Sequence, residues 1–374
     1  MIRLLAILLF VIPLAVRADA PPPPPVAAKS WLLMDVTSGQ IIASQNPNER
    51  VEPASLTKLM TAYLVFTALK EKKIQTTQSV NISERAWKMG GSRMFAEPRK
   101  PVTVDELLRG MIVQSGNDAT VALAETVAGS EEVFAQMMNK EAARLGLKDT
   151  SFTNSTGWPD PKLYSTANDL AQLAAALIRD FPEQYGALYS LKDFRYNNIT
   201  QPNRNRLLWL DPNVDGVKTG HTEAAGYCLI ASAKRSDRRL LSVVLGTASD
   251  SARAQESQKL LNYGFQFYDT VRLFDTTKPV GTVRVWKGTD NEVGAGVRTD
   301  LFVTVPRGEA DKLKADFVSQ QPLVAPLSAG QPVGSIRVTL DGKPFGEYPA
   351  VAMKSVPVAG FFGRLADTVR LWFK

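Results

Sequence analysis

The chain has one cysteine and one histidine in 374 residues. A lone Cys228 excludes an internal disulfide and a cysteine metal cluster, and its apolar setting, "YCLIASA", marks a buried, inert thiol. A lone His221 excludes zinc sites built on two or three histidines and leaves a Ser-His-Asp arrangement with a single candidate base. Any serine nucleophile here calls for a different base. Beyond the first twenty residues no apolar run is long enough to cross a bilayer as a helix. Lys and Arg are scattered and no nucleic-acid motif is recognisable, so the net charge of +7 suits an anionic surface better than nucleic acid. No cofactor motif stands out, and none is expected.

What is present begins with "MIRLLAILLFVIPLAVRADA", a short basic start at Arg3, an apolar core from Leu4 to Val16 and an Ala18-Asp19-Ala20 site. That is the pattern of a secretory signal over 1–20, and it predicts export. "PPPPP" at 21–25 reads as a stiff extended spacer. Two strands around Thr37-Ser38-Gly39 then open a first domain, 21–272, whose middle is helical by three- and four-residue apolar spacing. Strands return over "VDGVKTGHTEAAGYCLIASAKRSDRRLLSVVLGTA", and a helix over "SARAQESQKLLNYGFQFY". This order predicts an α+β fold with helices packed on an antiparallel sheet. Short alternating runs cut by Gly and Pro predict a β-rich domain over 273–355. The tail, 356–374, places Val358, Phe361, Phe362, Leu365, Val369, Trp372 and Phe373 on one helical face, with Arg364, Asp367, Arg370 and Lys374 mostly opposite. A core-packing helix would show the same stripe. The aromatic and basic mixture after a complete β-domain favours an interfacial anchor.

Three short motifs carry chemistry as a set. Ser55 stands three residues before Lys58, at the start of an apolar helical run, so the two share a face. Ser115-Gly116-Asn117 falls at a break between helices, where a loop can present side chains; a capping role is the alternative. Lys218-Thr219-Gly220 enters a strand about a hundred residues later, and a turn with a solvated lysine is its plainer reading. Together, in this order, they form the pattern of penicillin-recognising enzymes. A lysine is no base at its free pKa, near 10.4, so burial or a neighbouring cation such as Lys218 must favour neutral Lys58. Ser115 is placed to pass a proton to a leaving amine, and Asn117 to fix Lys58 and a substrate amide. The main-chain N–H groups of Ser55 and His221 form the natural pair of oxyanion donors. The His221 side chain as base is the rival.

The motifs resemble those of the low-molecular-mass penicillin-binding proteins, specifically the D-alanyl-D-alanine carboxypeptidases. The resemblance runs through "EPASLTKLMTAY", "MIVQSGNDATVALAE", "QPNRNRLLW", "NVDGVKTGHT" and "ESQKLLNYGFQFY" into "AGFFGRL". It implies Ser55 as the acylated nucleophile, Lys58 as its base, Ser115 and Asn117 as the second motif, and Lys218, Thr219 and Gly220 as the strand motif. The implied substrate is the peptidoglycan stem peptide ending D-Ala-D-Ala, with β-lactams as covalent inhibitors. Arg253 matches an arginine associated with the substrate carboxylate, and Arg204 is a weaker candidate for the same task. The implied location is the periplasmic side of the inner membrane, held by the C-terminal helix. A serine β-lactamase and a β-lactam or muropeptide sensor are the competing readings.

Overall fold

The computed structural model describes residues 20–372. The signal call, apart from Ala20, and the terminal residues Phe373 and Lys374 lie outside the described residues. The first unit is built on a five-stranded antiparallel sheet. Its strands are β1 (Ser30–Asp35), β2 (Gln40–Gln45), β3 (Val214–Thr222), β4 (Gly226–Arg235) and β5 (Arg238–Thr247), in the order β2-β1-β5-β4-β3. β1 is buried along its whole length because both faces of the sheet are covered. Leu32 and Met34 join the core shared with the helical block, whereas Trp31 and Leu33 face the core on the other side. Two buried faces explain why "LLSVVLG" in β5 is a continuous apolar run rather than an alternating one.

The helical block includes α1 (Lys58–Lys70), α2 (Val104–Val113), α3 (Asn117–Ala128), α4 (Glu131–Leu145) and α5 (Ala167–Asp180). α2 starts with a reciprocal capping box between Thr103 and Glu106, and α4 and α5 are capped by Ser130 and Thr166. α3 stops at Gly129, which takes the left-handed conformation a side chain would resist. α6 (Asp250–Phe267), capped by Ser249, covers the opposite sheet face with Leu260 and Leu261. β3 is left at the sheet edge, where backbone groups on its outer side are free to meet a ligand.

The second unit holds a six-stranded sheet over a core that includes Val283, Val285, Val293, Ile336 and Val338. The strand Tyr268–Phe274, paired with Leu301–Pro306, runs across residue 272, so the change of texture in the sequence falls inside a strand. The two units meet at the β1–β2 turn. Ser38 Oγ lies 2.7 Å from Thr304 Oγ1, and Thr304 N–H donates to Gln40 Oε1 at 2.6 Å. Fully buried Asp35 accepts from Arg238 Nε at 2.8 Å and from the Thr270 hydroxyl.

The tail forms α7 (Phe361–Trp372). Its orientation refines the amphipathic reading, because Asp367, grouped with the outward polar residues, is buried and accepts from the Lys287 main-chain N–H at 2.7 Å. The apolar face points away from the protein instead: Phe361, Phe362 and Leu365 are 66%, 83% and 53% exposed. A helix packed into a core would hide these side chains. No helix among the described residues is long and apolar enough to cross a membrane.

Candidate active site

Ser55 lies in a one-turn 3-10 segment, Ala54–Thr57, that feeds α1. Lys58, one turn on, is 1% exposed. Its Nζ lies 2.9 Å from Ser55 Oγ, 2.8 Å from Asn117 Oδ1 and 2.7 Å from the Thr156 carbonyl. The last two atoms can only accept. A neutral amine therefore spends its two hydrogens on them and turns its lone pair toward the Ser55 hydroxyl. Burial pushes the Lys58 amine down to about 7, helped by the positive charge of Arg204. Burial is the larger cause; Arg204 is a cation that bears on Lys58, and Lys218, the one the sequence argument offered, is coupled to Lys58 as well. Lys218 is itself buried and held well below the lysine range by burial and by Lys58, with Nζ donating to the Thr219 carbonyl at 3.1 Å.

Ser115 occupies the bend between α2 and α3 with φ of 65°, a costly conformation for a residue with a side chain. Its hydroxyl is buried without a partner among the described residues. Asn117 does not cap α3; its Nδ2 donates to the Gly90 carbonyl at 2.8 Å, which turns Oδ1 to Lys58. β3 packs on the Ser55 turn so closely that a Cβ at Gly220 would come within 3.1 Å of the Pro53 carbonyl. The His221 ring packs against Tyr227, tilted by 36° with centroids 4.1 Å apart, and among the described residues Ser55 Oγ is met by Lys58. A cleft of about 610 Å³ opens over Ser55, Ser115, Asn117 and Thr219.

At one end of this cleft stand Arg204, Arg253 and Asp250. Arg253 is buried and committed. Its guanidinium donates to the Gly220 carbonyl at 3.2 Å and pairs with the Asp250 carboxylate. Arg204 donates only through Nε, to the Gln114 carbonyl at 3.2 Å, which leaves its terminal nitrogens facing the cleft without a partner among the described residues. The weaker sequence candidate is thus the freer cation.

Residues 16–249 match the family model for D-alanyl-D-alanine carboxypeptidase, and residues 268–358 match the model for the C-terminal domain of penicillin-binding protein 5. The chain belongs to the D-alanyl-D-alanine carboxypeptidase family. D-alanyl-D-alanine carboxypeptidase DacC of Escherichia coli K12 is 47% identical over 358 residues, covering 94% of this chain and 89% of that one. DacA of Haemophilus influenzae is 45% identical over 358 residues, covering 94% and 91%. The crystal structure of penicillin-binding protein 5 from Haemophilus influenzae superposes with a TM-score of 0.85 at 45% identity, covering 90% of this chain and 99% of that one. Penicillin-binding protein D2 from Listeria monocytogenes, solved in its ampicillin-bound form, matches at a TM-score of 0.61 and 28% identity over 66% of this chain and all of that one.

Several residues that shape this carboxypeptidase-family cleft lie outside the three motifs. Asn154 Oδ1 accepts from the N–H groups of Thr156, Gly157 and Trp158, folding that segment back so that the Thr156 carbonyl meets Lys58. Glu131, buried at the start of α4, accepts from Ser155 N–H at 3.0 Å and Ser155 Oγ at 2.6 Å and braces the same segment. Asp118 gathers the N–H groups of Met94, Phe95 and Ala96 at 2.8 to 3.0 Å, which fixes the loop carrying Gly90 and Gly91. The "SGND" run could have flagged Asp118, since an acid beside the motif in a buried break needs donors. Nothing in sequence points to a main-chain carbonyl such as that of Thr156.

Proposed function

We propose that the protein is an exported serine carboxypeptidase that removes the terminal D-alanine from peptidoglycan stem peptides ending D-Ala-D-Ala, and that β-lactams acylate the same serine. The observation that carries this is the Lys58 amine, 2.9 Å from Ser55 Oγ, with both other partners able only to accept. Ser55 Oγ attacks the carbonyl carbon of the penultimate D-alanine while its proton passes to neutral Lys58. The oxygen that gains charge is met by the main-chain N–H groups of Ser55 and His221, one from the turn and one from the edge strand. Lys58 returns the proton through the Ser115 hydroxyl to the leaving nitrogen as the C–N bond breaks, releasing D-alanine. Water then attacks the Ser55 ester by the same route and frees the shortened peptide. Asn117 orients Lys58 and the substrate amide, and Lys218 stands on the edge strand beside them, its Nζ donating to the Thr219 carbonyl. Arg204, with Thr219 on the strand, receives the terminal carboxylate, and Arg253 backs that strand through the Gly220 carbonyl.

The "MIRLLAILLF" signal and the exposed stripe of α7 support a periplasmic enzyme lying on the surface of the inner membrane. The test is D-alanine released from a peptide ending D-Ala-D-Ala by the parent and by Ser55→Ala, beside labelling with fluorescent penicillin. Release and labelling by the parent alone are expected. A folded parent that is labelled, yet releases nothing and hydrolyses the penicillin adduct many times per second, would make it a β-lactamase.

A further inference from the structure

The carboxylate end of the cleft contains its own carboxylate. Asp250, the first residue of α6, lines the cleft beside Arg204, Thr219 and Arg253, and its side chain is 41% exposed. One oxygen pairs with the Arg253 guanidinium, and the other lies 3.6 Å from Arg206 Nη1. The Asp250 charge also acts on Arg204, opposing the fall that burial imposes on that guanidinium. Two arginines thus contact one acid, and a third, Arg204, feels its charge, beside the place where a peptide's terminal carboxylate is received.

We propose that Asp250 is a resident competitor for the substrate's terminal carboxylate, a specificity-determining residue that loosens the grip of the arginine cluster on anionic chain ends. The inference rests on the carboxypeptidase reading above. It follows from charge alone: an incoming carboxylate brings to Arg204 and Arg253 the group that Asp250 already offers, and two carboxylates sharing one guanidinium cluster repel. The acid keeps its place without substrate because Ser249 caps α6 and a negative charge is favoured at a helix start. For a carboxypeptidase a loosened grip has a use. The leaving product, free D-alanine, carries the same carboxylate, and its departure opens the cleft end for water and for the next peptide.

The experiment compares KM for a tripeptide ending D-Ala-D-Ala with KM for its C-terminal methyl ester, in the parent, Asp250→Asn and Asp250→Glu. Loss of the charge should lower KM for the acid by about three- to fivefold relative to the ester, the size expected when a partly exposed charge pair is removed. Free D-alanine should become a correspondingly stronger inhibitor, and both effects should shrink as salt is raised. Asp250→Glu, which keeps the charge and the helix-start preference, should retain the parent's ratio. An unchanged acid-to-ester ratio in a folded Asp250→Asn enzyme overturns the inference. So does a rise in KM for the acid, because Asp250 would then be a prop that aims Arg253. If the parent releases neither D-alanine from the acid nor D-alanine methyl ester from the ester, the carboxypeptidase reading fails first.

Discussion

At the residue scale, Lys58 decides how the protein responds to pH. Its amine must be neutral to accept the Ser55 proton, and burial with Arg204 brings it down to about 7. The acylation rate with penicillin should therefore climb with pH through a midpoint near that value. Removing a positive neighbour stabilises the protonated amine, so Arg204→Gln should carry the ascending limb to higher pH. Penicillin acylation rates measured from pH 5 to 10 read this directly, and a limb that stays in place would remove Arg204 from its electrostatic role. Stability has its own sign. A lysine depressed in the folded state binds more protons when unfolded, so this group's contribution to stability rises with pH from about 7 to the unfolded value near 10.5. The urea midpoint of Lys58→Met should show less of that rise than the parent.

At the element scale, the site is assembled where a turn, a bend and an edge strand converge, and Gly157 is the closest approach. With φ of +81°, it sits so near the Ser55 turn that a Cβ would overlap the Ala54 carbonyl. Gly157→Ala should cost about 1–3 kcal/mol of stability and slow acylation more than it raises KM, because the strain falls on the segment that delivers the Thr156 carbonyl to Lys58. Thermal melting with acylation kinetics checks both. This junction also marks how far the sequence could be read. Ser55 and Lys58 were legible because i and i+3 on a helix are neighbours whatever the fold does. Ser115 and Lys218 were legible because both motifs interrupt a pattern, one at a helix break and one entering a strand. The Thr156 carbonyl meets Lys58, and Glu131 braces Ser155, only through topology, across 98 and 24 residues of chain, whereas the Asn154 fold-back is local. Which of the Arg204 and Arg253 guanidiniums is occupied was not legible for the same reason: it depends on Asp250 and the Gly220 carbonyl.

At the scale of the whole molecule, the α+β order, the β-rich second unit and the amphipathic tail were readable because each has its own periodicity. The way α7 sits on its neighbour was not, since Asp367 meets a main-chain N–H that no pattern announces. Deleting residues after Val356 should leave D-alanine release from soluble peptides intact while abolishing sedimentation with vesicles of anionic phospholipid. Unchanged sedimentation would end the anchor proposal.

The Asp35 carboxylate has a consequence for heating. It lies in the first unit, is fully buried, and accepts from Thr270 of the second unit as well as from Arg238, whose guanidinium also holds the Tyr268 carbonyl. Melting of the second unit alone would take a donor from the buried Asp35 carboxylate and an acceptor from the Arg238 guanidinium. Calorimetry should record one cooperative transition for the parent, and two for Asp35→Asn as the buried charge that Thr270 meets is lost.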